Sequence, residues 1–132
     1  MPGSSGYNGP VNTIDQFAGH KYLSLETYRK SGAAVRTPVW FAEKDGKLYL
    51  YTLADSGKVK RIRNNPRVRA VPSDFRGNPL GEWIEGEAHI LSPEDARTAN
   101  RQLNQKYWMK RIFDWTSKLR RTPRLYLAVL PY

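Results

Sequence analysis

Lys58, Lys60, Arg61, Arg63, Arg67 and Arg69 form a basic run with no carboxylate inside it, directly after Ser56-Gly57. Main-chain amides at the start of a helix favour an anion. Gly57 lets the backbone approach a ligand closely, and Lys58, Lys60 and Arg61 add full charges beside it. Upstream, Arg36-Thr37-Pro38-Val39-Trp40 and Tyr49-Leu50-Tyr51-Thr52 read as neighbouring strands. Main-chain amides of residues 37–39 and 51–52 could line a planar ring. The combination suits a phosphate attached to a flat heterocycle.

Groups able to do chemistry unaided are missing. There is no Gly-x-Gly-x-x-Gly and no phosphate-loop Lys-Ser/Thr signature. His20 and His89 have no neighbour at metal-ligand spacing, so no metal is expected. Glu82, Glu85 and Glu87 are close, but Glu85 and Glu87 would share a strand face with Trp83 while Glu82 points away. That reads better as a solvated face than as an acid–base pair. Ser24, Ser31, Ser56, Ser73 and Ser92 have no evident His partner. The absence of cysteine excludes disulfides, thiolate catalysis and cysteine metal sites. Such a chain either only binds, or positions a cofactor that carries the reaction.

The elements that must place these residues follow from periodicity. Lys21–Tyr28 and Val35–Ala42 alternate as strands, the second with Val35, Thr37, Val39 and Phe41 on one face. Pro38 lacks an amide proton, so its position should be an edge or a bulge. Asp45-Gly46 predicts a hairpin into a third strand, Lys47–Leu53. Asp55 or Ser56 can cap a short helix over Lys58–Asn65 with Val59 and Ile62 inward, and Pro66 ends it. Strands follow at Arg67–Ser73 and Glu82–Leu91, the latter with Ile84, Ala88 and Ile90 inward. Ser92-Pro93-Glu94-Asp95 opens a helix through Tyr107. A further helix is predicted at about Met109–Leu119, and a last strand at Leu125–Leu130. Six strands in sequence with late helices predict a mainly β fold, an antiparallel barrel with helices at one end.

The bulk numbers bound the partners. The 132 residues fit one domain, expected over 19–132 behind a flexible tail at 1–18. Met1–Pro10 is rich in Gly, Ser and Pro without an apolar core region, so a cytoplasmic location is expected. No apolar run is long enough to span a membrane. The net charge of +10 favours anionic partners, and Lys106, Lys110, Arg111, Lys118, Arg120, Arg121 and Arg124 form a second basic cluster. Interleaved Tyr and Trp would also suit a single-stranded nucleic-acid binder. Against that class, the first basic run sits at a helix start rather than along a strand face.

The order Arg-x-x-Val at Arg36–Val39, aromatic-Tyr-Thr ending at Tyr51-Thr52, Ser-x-Lys at Ser56–Lys58 and then Asn65-Pro66-Arg67-Val68 resembles the flavin-binding split-barrel superfamily typified by pyridoxamine 5′-phosphate oxidases. Lys21–Leu25, Arg36–Phe41, Asp55–Arg61 and Gly81–Gly86 look most like its actinobacterial branch of coenzyme F420-dependent oxidoreductases. The resemblance implies a six-stranded antiparallel split β-barrel, homodimeric, with the cofactor site completed by both subunits. It implies that Arg36, Thr37, Pro38 and Val39 contact the ring or its polar tail, that Tyr51 and Thr52 lie against it, and that Ser56, Gly57 and Lys58 hold the phosphate. Lys60 and Arg61 are added on charge alone, for a longer anionic tail. Trp83 would flank the substrate across the dimer. The apolar strands Lys47–Leu53 and Leu125–Leu130 need cover on both faces, which also points to a homodimer. Gly57 stands where flavin oxidases usually carry a second basic residue, and Gly81 where they tend to carry a Gln-type one. Both departures weaken the case for FMN, and the lysine-rich run instead favours coenzyme F420, with its polyglutamate tail. The expected activity is hydride transfer between the reduced deazaflavin and an unidentified small organic substrate. The alternative on the same barrel is an FMN-using or non-catalytic flavin or haem carrier.

Overall fold

The computed structural model describes residues 10–106 and 124–132. The expected helix at 109–119 and most of the second basic cluster lie outside the described residues. The strands are β1 (Tyr22–Tyr28), β2 (Ala34–Lys44), β3 (Lys47–Leu53), β4 (Arg67–Ser73), β5 (Ile84–Ile90) and β6 (Arg124–Pro131). The helices are α1 (Gly57–Asn64) and α2 (Pro93–Lys106). The strands close a barrel in the order β1-β2-β3-β6-β5-β4, and every pairing is antiparallel.

The closed barrel encloses one apolar interior. Leu23 and Leu25 of β1, Phe41 of β2, Leu48 and Leu50 of β3 and Leu127 of β6 all point inward and are fully buried. Each such side chain contributes about 1.5–3 kcal/mol relative to leaving it in water. The β2–β3 turn has positive φ at both central residues, 54° at Asp45 and 77° at Gly46, as the Asp-Gly pair predicts. α1 buries Val59 and Ile62, and Ile62 joins the barrel core. Ser92 Oγ accepts from the Asp95 amide and caps α2.

Two expectations need correction. Pro10–Phe17, placed in the flexible tail, is a 3-10 helix, and Phe17 is buried in the core, edge-on to Phe41 at 5.6 Å. Its neighbour Gln16 donates to the Glu82 carbonyl and accepts from the Glu82 amide, both at 2.8 Å. Composition alone could not show that the barrel end needs this cover. Ser56 does occupy the N-cap of α1, but its side chain makes no capping bond and instead shares one of 3.2 Å with Thr52 Oγ1.

Candidate functional site

The ladder between β2 and β3 ends at Phe41↔Leu50, whereas β2 begins at Ala34 and β3 runs on to Leu53. The two strands therefore fork. Arg36–Val39 lie on one lip, in the part of β2 that pairs only with β1, and Pro38 stands opposite Ser24 there. This is the edge position that its missing amide proton requires. Tyr51 and Thr52 lie on the other lip, where β3 pairs with β6. Three residues past the end of β3 comes Ser56, then Gly57 and Lys58 in the first turn of α1.

Most of the expected site residues converge on this fork and helix start. Thr37 Oγ1 is buried without a hydrogen-bond partner among the described residues. A buried hydroxyl left unpaired costs about 1–3 kcal/mol, so a ligand able to satisfy it is favoured there. Val39 and Thr52 are buried on the inner wall. Lys58 is half-buried, and burial, then the Arg61 charge, hold its ammonium below the ordinary value. Arg61 donates from Nε to Thr27 Oγ1 at 2.7 Å, and burial, then Arg29, lower its pKa in the same way. The absent side chain of Gly57 makes room for Arg61, since a Cβ there would stand 2.8 Å from Arg61 Nη1. Lys60 is exposed beside the cleft that Gly57 and Arg61 line.

Two expected residues are committed elsewhere. Tyr51 sends its ring outward, into a cluster with Trp40, Tyr126, Ala42 and Leu103 under α2, so only its main chain borders the fork. Arg36 points to the outer wall. There it donates from Nε to Glu26 at 2.6 Å, and its guanidinium lies 4.7 Å from the centroid of the Trp83 ring. Arg69 donates to the other Glu26 oxygen at 3.3 Å and also lies 4.7 Å from Trp83. Trp83 is thus held by two cations rather than standing open.

Sequence reasoning missed the centre of this cluster. Glu26 faces outward on β1 yet is only 2% exposed. The β4–β5 connection packs against the residues around it. Leu80 donates to the Pro72 carbonyl, Gly77 lies against Pro38, and Trp83 covers the arginines. Burial pushes the Glu26 carboxyl up, but the Tyr28 hydroxyl bond at 2.7 Å and the two arginines outweigh it and hold it below the ordinary value. Burial, then Glu26, push the Tyr28 phenol up to about 12. The available signal was register: Glu26 lies opposite both Arg36 and Arg69. Among the described residues no group of His, Cys, Asp and Glu is placed to hold a metal ion, and no helix is long and apolar enough to cross a membrane.

The family model described as pyridoxamine 5′-phosphate oxidase matches residues 12–130. The chain belongs to the pyridoxamine 5′-phosphate oxidase family. Solved structures with the same fold include a conserved hypothetical protein of Mycobacterium tuberculosis, 21% identical, with a TM-score of 0.69 over 94% of this chain and 81% of that one. A FAD-binding protein of Mesorhizobium loti is 17% identical, with a TM-score of 0.64 over 94% of this chain and 88% of its own. The heme storage protein HutZ of Vibrio cholerae is 14% identical, with a TM-score of 0.69 over 92% of this chain and 87% of its own. At these identities the likenesses speak to the fold alone. No curated protein matches the sequence.

Proposed function

We propose that this chain is a deazaflavin-dependent oxidoreductase that takes coenzyme F420 with its ring at the β2–β3 fork and its phosphate at the start of α1. The observation that carries the reading is the unpartnered, buried Thr37 hydroxyl on the lip of that fork, with Lys58 in the adjoining first turn of α1. Membership of the oxidase family supports a flavin-type cofactor, and the FAD-binding fold relative is consistent with one. Bound there, the deazaflavin supplies a hydride donor at its ring carbon, so the transfer itself needs no acid or base from the protein. The chain's residues bind and orient. The Ser56 and Gly57 amides and Lys58 hold the phosphate. The Thr37 hydroxyl and the amides of Thr37, Val39, Tyr51 and Thr52 fix the ring, against Val39 and Thr52. Lys60 and Arg61 meet the anionic tail. Arg36, held on the outer wall by Glu26 and Trp83, steadies that side of β2 rather than meeting the ring, and Trp83 flanks a small organic substrate across a homodimer.

The deciding experiment is binding of oxidised and reduced deazaflavin against FMN under one set of conditions, followed by absorbance-monitored reoxidation of the reduced cofactor with small-molecule acceptors. Tighter binding of FMN reverses the cofactor assignment. A second reading, a non-catalytic flavin or haem carrier, is favoured by the lack of an acid–base pair at the fork and by the heme storage protein among the fold relatives. Haem binding without any reoxidation activity would establish it. Sedimentation at micromolar concentration tests the homodimer, and a monomer that still holds cofactor counts against it.

A further inference from the structure

Register brings three outward residues of β3, β6 and β5 into one row. Tyr49 of β3 and His89 of β5 both lie opposite Ala128 of β6. Their chain neighbours Leu48, Leu50 and Ala88 belong to the core, so alternation turns this row to the outer wall. A methyl group between two rings leaves a gap. Ala128 and Leu130 floor a hollow of about 200 Å³ there, with Tyr49 and His89 in its lining. Leu91, in the connection from β5 to α2, and Thr98 of α2 border it as well. The Leu91 amide donates to the Tyr126 carbonyl at 2.9 Å, which fixes that connection against β6. None of these residues belongs to the fork or to α1.

Two opposite charges line the same hollow, Lys47 at the start of β3 and Asp95 in the first turn of α2. Neither makes an ion pair among the described residues, so they do not meet across it. Glu87, two residues before His89 on the same wall, is engaged elsewhere. His89 Nε2 lies 3.5 Å from one of its oxygens, and the Tyr132 hydroxyl donates to the other at 3.4 Å. A cation and an anion held apart over an apolar floor match a molecule that carries both charges and a short apolar body. A ligand with one charge would leave the opposite rim unmatched. The hollow is smaller than the roughly 300–1,000 Å³ of pockets for drug-sized ligands, so its occupant is small.

We propose that the hollow between β3, β6 and the first turns of α2 is a binding site for a small zwitterion, a free α-amino acid with an apolar side chain. Lys47 takes the carboxylate and Asp95 the ammonium. The side chain lies on Ala128 and Leu130, between Tyr49 and His89. The site shares no residue with the proposed cofactor position, so the two readings stand or fall separately.

The test titrates the full chain with leucine, leucine amide, N-acetylleucine and glycine, read from the NMR shifts of the Ala128 methyl and the His89 imidazole. The amide lacks the carboxylate, the acetyl form lacks the ammonium, and glycine lacks the side chain. Leucine is expected to bind at least about fivefold more tightly than each of the other three. Lys47→Met should weaken leucine about fivefold and leave leucine amide unchanged, whereas Asp95→Asn should weaken leucine as much and leave N-acetylleucine unchanged. Lys44→Met is the control, since Lys44 stands opposite Lys47 in the hairpin and outside the hollow. It should change nothing. All three positions are exposed, and thermal melts check that the variants fold. The proposal is overturned by any of three results: no leucine-dependent shift at the Ala128 methyl, leucine bound no more tightly than its amide or acetyl form, or a loss in Lys44→Met equal to that in Lys47→Met.

Discussion

The Arg61 guanidinium donates from Nε to the hydroxyl of Thr27 at 2.7 Å, tying α1 to the inner wall of β1 across 34 residues of sequence. Thr27 is fully buried. Arg61→Ala therefore leaves a buried hydroxyl unpaired and should cost about 1–2 kcal/mol in urea unfolding. Thr27→Val keeps the shape and lets Arg61 turn to the cleft, so it should cost about half as much. A Thr27→Val loss as large as that of Arg61→Ala would mean that wall packing, rather than the bond, ties the helix.

Lys58 is half-buried at the proposed phosphate position and carries no ion pair among the described residues. Lys58→Ala should weaken deazaflavin binding by about 1.5–3 kcal/mol, the scale of a charge-assisted hydrogen bond. Unfolding should change little. Isothermal titration measures the first and a thermal melt the second. Unchanged affinity removes Lys58 from the site.

The Glu26–Tyr28 pair gives two opposite pH limbs. Glu26 is held below its ordinary value of 4.5 when folded. The stability it contributes is present above that value and is lost as pH falls through the folded pKa. Tyr28 is raised from 10.0 to about 12. Its contribution is complete below pH 10.0 and is lost as pH rises towards 12, because the unfolded phenol ionises first. Glu26→Gln should flatten the acid limb, and Tyr28→Phe the alkaline one. The difference in phenolate absorbance between the unaltered chain and Tyr28→Phe should appear only near pH 12; a difference already complete at pH 10 would contradict the pairing.

Two glycines make a contrast in what a methyl group meets. At Gly86 of β5 a Cβ would lie 2.6 Å from the Leu130 carbonyl oxygen, in the backbone of β6. Gly86→Ala should strain the seam where the barrel closes and cost about 2–4 kcal/mol. At Gly57 the obstacle is the tip of the Arg61 side chain, which can move. Gly57→Ala should cost less than about 1 kcal/mol of stability while displacing Arg61 and weakening anion binding. Chemical denaturation of both variants reads the order, and the reverse order refutes it.

What the sequence by itself determined was local. Asp45-Gly46 had to turn, because both residues tolerate the positive φ they adopt. Pro38 had to lie where β2 has a free side, because it cannot donate to a ladder. Leu23, Leu25, Leu48 and Leu50 had to share an interior, because alternation puts them on one face of each strand. Ser56, Gly57 and Lys58 had to stand at a helix start, because Val59 and Ile62 keep helical spacing and Pro66 ends the run. The tertiary structure decided everything that depends on what passes over a surface. Glu26 alternates like a solvated residue, yet Tyr28, Arg36 and Arg69 gather on its carboxylate and Trp83 lies over both arginines. Phe17 is core only because the barrel end stands open without it. Arg29 and Lys30 share a cleft with Lys60 and Arg61 only through closure of the barrel and the seating of α1. Strand and turn preferences act over a few neighbouring residues, whereas burial and charge compensation are set by contacts between residues far apart in the chain.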